Sequence, residues 1–171
     1  MMVGMGAGCE AVGEEARALR ALAEAGDALV AGIERSVPTW VTAQVERILD
    51  AWGRASPAVC LDAERAAAAA GVSAAHRVAS ELRALLTRDP AEQARTPAEI
   101  VRSVVREPTA VLTAVGVPPV ERDPFDERAV PEDRYDLAPR SLADLGGPEL
   151  GAALLAWGMA KAAVLRARLG G

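Results

Sequence analysis

Apolar and small residues recur at three- and four-residue steps over residues 10–35, at Val12, Ala16, Leu19, Ala23, Gly26, Val30 and Ile33. That is the spacing of one face of an amphipathic helix. Ser36 and Pro38 then read as a stop and a restart, because serine caps a helix and proline suits its first turn. A second helix follows with Val41, Val45, Ile48, Leu49 and Trp52, closed by residues 53–56. Ser56-Pro57 repeats the start signal. A third helix passes through the alanine block at 66–70 to Val78, Leu82, Leu85 and Leu86, with Gly71 as the place where it bends or breaks. Thr96-Pro97-Ala98-Glu99 has the form of a capping box with proline in the first turn. It predicts a helix carrying Ile100, Val101, Val104 and Val105 as far as Pro108, and a short helix over 109–115.

The helical period is lost between 117 and 147, where Pro118, Pro119, Pro124, Pro131 and Pro139 stand among acids and arginines. This stretch reads as an irregular acidic arm packed on the helical body. The last predicted helix, 148–168, turns Leu150, Ala153, Leu154, Trp157, Val164 and Leu165 inward. Lys161, Arg166 and Arg168 fall toward its end, where cations complement the helix dipole. It reads as the central, most buried helix. Residues 1–8 read as a flexible leader and 9–171 as a single domain.

Composition agrees with helices. The chain has 171 residues, a length that suits one domain, and its 51% hydrophobic and 25% charged content excludes whole-chain disorder. There are 38 alanines, three isoleucines, one Phe and one Tyr, so helix formers far outnumber strand formers. The expected class is all-α: a single-domain bundle of five or six helices carrying the arm. Eighteen arginines against one lysine, with no Asn, look like GC-rich coding, so the arginine excess carries no function by itself.

Charge narrows the partners. The net charge of −5 opposes binding to nucleic acid or anionic membranes, both of which draw affinity from basic surface. Residues 108–149 carry nine acids and four bases, whereas 150–171 carry three bases and no acid. Cys9 and Cys60 read as two reduced thiols, with no zinc-type spacing between them. The apolar run in residues 1–10 has no basic residue before it, and no stretch reads as a span of about 18 apolar residues. A cytoplasmic protein off the membrane is the expectation.

Candidate chemistry is sparse. The glycines at 4, 6 and 8 follow no strand and lack a Walker lysine. His76, the sole histidine, would stand about 24 Å from Cys60 along one straight helix, too far for a dyad. Glu-x-x-His pairs for a diiron bundle are lacking, and Asp123, Asp126, Glu127, Glu132, Asp133 and Asp136 lack calcium-loop spacing. No catalytic, cofactor-binding or metal-ligating residue is assigned. The only Phe and the only Tyr both fall in the arm, so Phe125, Glu132, Asp133 and Tyr135 are the candidate residues for a protein partner.

Two alternatives stand beside that reading. The string Ala-Ala-Gly71-Val72-Ser73, followed by Val78 and Leu82, resembles the first turn of bacterial helix-turn-helix repressors. The resemblance implies a recognition helix over part of 66–86 that would meet DNA with Ser73, His76, Arg77 and Arg83, and with Ser80 between them. Alternatively, a pocket beneath the arm, near Trp52, Trp157 and Tyr135, would serve a small ligand or an enzyme. The string Leu49-x-Ala51-Trp52-Gly53-x-Ala55 recurs as Leu154-x-Ala156-Trp157-Gly158-x-Ala160, either as a duplication or as two solutions to close helix packing.

Four further strings carry a family resemblance: Thr96-Pro97-x-Glu99-Ile100-Val101-Arg102, Gly116-Val117-Pro118-Pro119-Val120-x-Arg122-Asp123-x-Phe125, Pro131-x-Asp133-x-Tyr135-Asp136-Leu137 and Ala156-Trp157-Gly158-x-Ala160-Lys161. They resemble small, uncharacterised helical proteins of actinobacteria over roughly the C-terminal half. The resemblance implies a helical fold and a source, and attaches no activity. The sequence therefore points to a non-enzymatic interaction or regulatory protein. It would use the arm and an Ala/Leu helix face for a protein partner or for self-association.

Overall fold

The computed structural model describes residues 6–118 and 142–169. All regular elements among them are helical: α1 (Gly6–Trp52), α2 (Pro57–Leu86), α3 (Pro97–Arg102), a 3-10 turn (Ser103–Val105), α4 (Arg106–Ala114) and α5 (Leu142–Leu169). The all-α class holds. Because α3, the 3-10 turn and α4 follow one another without a break, the described residues form four helical rods rather than five or six.

The largest departure from expectation is the fusion of the first two predicted helices. Pro38 lies inside α1, although interior proline removes a backbone hydrogen bond and costs about 3 kcal/mol. Packing overrides it: Val37 and Val41 are wholly buried on either side, and Trp40 is buried beside them. The Pro38 carbonyl also accepts a hydrogen bond from Thr42 Oγ1 at 3.1 Å. At its other end α1 is already helical at Gly6, inside the predicted leader.

Gly71 neither bends nor breaks α2. It is buried against α1, where an added Cβ would come within 2.8 Å of Pro38 Cα. Close approach of two helix backbones is therefore what this glycine supplies. The local start signals are realised as expected. The Ser56 hydroxyl accepts from the Val59 N–H at 3.3 Å, and Thr96 and Glu99 form a reciprocal capping box. Pro108 does not interrupt; the 3-10 turn places it in the first turn of α4, where proline is tolerated.

α1 is the spine. Glu34 pairs with Arg83, Pro38 meets Gly71 and Gly26 meets Leu86, so α2 runs antiparallel along it. Arg168 pairs with Glu15, Glu149 with Arg35, and Gly146 lies beside Ser36, so α5 is antiparallel to α1 as well. α5 is thus not the central helix: it leans on α1 and makes smaller contacts with α3 and with Asp89 in the turn after α2. Nor does the predicted face of the first helix survive intact. Val12, Leu19 and Ala23 are exposed, while Leu22, Ala25 and Leu29 are buried. An alanine-rich helix offers several stripes of similar apolarity, and contact with two neighbours selects among them.

The predicted arm is irregular at Val117 and Pro118 but helical from Leu142. Its two aromatic residues, Phe125 and Tyr135, lie outside the described residues, whereas Leu145 near its C-terminal end is buried. α5 is kinked at Gly147, whose φ of 74° and ψ of −178° no β-carbon-bearing residue adopts comfortably. Pro148 then opens the straight part of the helix, at the start the sequence predicts.

Candidate interaction surface

Two stripes run along α5. Leu150, Ala153, Trp157, Ala160 and Val164 alternate three- and four-residue steps and are buried or half-buried against α1. Two residues further on, Ala152, Leu155, Met159, Ala162, Arg166 and Leu169 repeat the same steps and are all exposed. At about 100° per residue, two residues set this second stripe on the opposite side of the helix. Leu155 is 66% exposed, Met159 65% and Leu169 89%. Ala156 and Gly158 lie exposed alongside, so the stripe is mostly apolar between Glu149 at one end and Arg166 at the other.

This pattern corrects the reading that no stretch is apolar enough for a span, since Leu145–Leu169 is long and apolar enough to cross a membrane by length and composition. Its inner stripe, however, is held against α1. Trp157 sits there with 5% exposure, its indole N–H without a partner among the described residues. The Lys161 ammonium lies 5.2 Å from its ring centroid, within cation–π range.

Arg168, near the end of α5, ties that helix to α1 and to the turn that follows α2. Its Nε donates to Glu15 Oε1 at 2.6 Å, and one terminal nitrogen donates to both oxygens of Asp89 at 2.8 Å. The hydrogen bond from Arg168, and then that from the Ala91 N–H, hold the Asp89 carboxyl below its ordinary value. A lowered folded pKa means that this contribution is complete above the ordinary value of 3.8 and is lost as pH falls through the lowered one. Arg168→Ala should therefore lower the melting temperature at neutral pH, with the gap to the parent closing in strong acid. An equal gap at pH 7 and at about pH 2 would contradict this linkage.

A groove of about 240 Å³ opens beside the kink, lined by Ala28, Gly32, Arg35, Ser36, Glu149 and Leu150 among others. Its charged pair, Arg35 and Glu149 at 3.5 Å, is mostly exposed. The predicted pocket residues do not meet here: neither Trp52 nor Trp157 lines the groove, and Tyr135 lies outside the described residues.

The other sequence-derived candidates are dispersed. Phe125, Glu132, Asp133 and Tyr135 lie outside the described residues. Ser73, His76, Arg77 and Arg83 all fall on α2, but the turn that a helix-turn-helix needs is absent because α2 is continuous through Gly71. Ser73 and His76 are exposed, whereas Arg77 reaches Glu107 at 2.8 Å and Ser103 at 3.1 Å, and Arg83 reaches Glu34 at 2.7 Å. His76 and Cys60 sit on this one unbroken helix, as the spacing argument against a dyad requires. Among the described residues no group of three or more His, Cys, Asp or Glu is placed to hold a metal ion. The repeated Trp-Gly string adopts two structures: Gly53 lies just past the end of α1, whereas Gly158 is in mid-helix. No protein-family model, curated protein or solved structure matches the chain.

Proposed function

We propose that this is a non-enzymatic interaction protein of the cytoplasm whose docking surface is the outward stripe of α5. One observation carries the reading: a helix already seated on α1 through one apolar stripe exposes a second, centred on Leu155 and Met159. A surface helix that meets water needs only one such stripe. Contiguous exposed apolar surface rimmed by charge is the ordinary mark of a protein contact.

The test is a photo-crosslinking amino acid placed at position 155 of the full chain in cells. A discrete protein adduct that disappears when the same probe is moved to the exposed position 80 of α2 supports the reading. Adducts of equal yield at both positions, or none at 155, would overturn it.

A further inference from the structure

We infer that the outward stripe of α5 is completed by a second copy of this chain, the two α5 helices lying antiparallel across a two-fold axis. The inference rests on the reading of that stripe as a docking surface and names its occupant. The alternating three- and four-residue spacing of Ala152, Leu155, Met159, Ala162, Arg166 and Leu169 is the spacing that lets a partner helix seat its side chains as knobs into holes. Ala152, Ala156, Gly158 and Ala162 bring the partner's axis to the short end of the usual 8–10 Å separation. From Pro148 to Leu169 the stripe is about 33 Å long at 1.5 Å per residue.

Charge selects the partner and its direction. At its N-terminal end the stripe has an acid, Glu149, which lies 3.5 Å from Arg35 of its own chain yet keeps 82% of its side chain exposed for a second basic partner, and near its C-terminal end it has exposed Arg166. Its complement is a helix that is apolar in the middle, basic opposite Glu149 and acidic opposite Arg166. The same helix reversed has that pattern. Antiparallel pairing sets Glu149 of one copy beside Arg166 of the other, twice by symmetry, and brings Leu155 against the neighbour's Met159. Parallel pairing would set Glu149 on Glu149 and Arg166 on Arg166.

A membrane surface fits less well. The helix is committed to α1 on its other side, one end of the stripe is acidic, and the whole chain carries −5. One helix pair falls at the low end of stable interface sizes, near 1,200 Å² in total, so the dimer is weak and reversible.

Sedimentation equilibrium of the full chain from about 1 µM to about 1 mM should show a monomer–dimer equilibrium. Leu155→Glu, and independently Met159→Glu, should each weaken it at least about tenfold while leaving the helical circular dichroism unchanged. Glu149→Arg and Arg166→Glu should each weaken it too, and an equimolar mixture of those two variants should associate again as a heterodimer. Monomer throughout, a dimer indifferent to Leu155→Glu, no loss on charge reversal, or binding to phosphatidylglycerol vesicles without dimerisation would each overturn the inference. A position-155 adduct with some other protein, from a chain that stays monomeric when pure, would end this inference and leave the docking surface standing. Absence of any position-specific adduct would end both.

Discussion

Replacing Trp157 with Ala is expected to lower the unfolding free energy by about 3–5 kcal/mol. The indole is the largest side chain on the inner stripe of α5, is 5% exposed and faces α1, which supplies most of that helix's packing. Truncation leaves a cavity that the flanking Ala153 and Ala160 are too short to fill, and Lys161 loses the ring beneath its ammonium. Trp157→Phe should cost less than about 1.5 kcal/mol, since it keeps much of the volume and removes an indole N–H that has no partner among the described residues. Urea denaturation at pH 7 checks both. A loss below about 1 kcal/mol for the alanine variant would mean that α5 is not anchored through this residue.

The second large effect is expected at Gly71, where two forces oppose each other. In an open helix, Gly→Ala gains up to about 1 kcal/mol. At Gly71 the new Cβ would sit 2.8 Å from Pro38 Cα and 3.1 Å from Pro38 O, backbone atoms that cannot swing aside. Driving two packed helices apart costs about 1–3 kcal/mol, so Gly71→Ala should be neutral to about 2 kcal/mol destabilising, and Gly71→Val, which is larger and β-branched, should lose about 3 kcal/mol. Gly151→Ala is the control, because nothing lies within 4 Å of its added Cβ, and it should show the propensity gain alone. Equal stabilisation at 71 and 151 would mean that α1 and α2 do not approach so closely.

The parts of the fold legible in the sequence are those decided within a few residues. Ser56-Pro57 and Thr96-x-x-Glu99 start helices because a side-chain oxygen meets an orphan N–H three residues on, whatever the rest of the chain does. Pro38 misled because its local preference was outweighed by burial of Val37 and Val41 against elements distant in the chain. Gly71 misled in the opposite sense, for the pattern shows a helix breaker where the fold needs a missing side chain.

The interaction surface was half legible. Leu150, Trp157 and Val164 stand out as an inward stripe, and they are buried. Once they are assigned, Leu155 and Met159 remain, and their spacing relative to Ala152 and Ala162 is a second stripe that one-sided pattern reading passes over. Its end charges, Glu149 and Arg166, were visible as the change from an acidic 108–149 segment to a basic 150–171 segment. What could not be read was that α1 takes one stripe only, since that depends on which helix lies at the centre.

The antiparallel seating of α5 along α1 also sets an order of assembly. Arg83 finds Glu34 across 49 residues of chain, whereas Arg168 must find Glu15 across 153. Loop-closure entropy grows with the logarithm of that separation, which makes the longer closure about 1 kcal/mol more costly. The α1–α2 hairpin should therefore form first and α5 join it last. By the same reasoning the amides of α5 should exchange sooner with solvent than those of α1 and α2, as in a helix that arrives late and departs early from a hairpin able to wait for it.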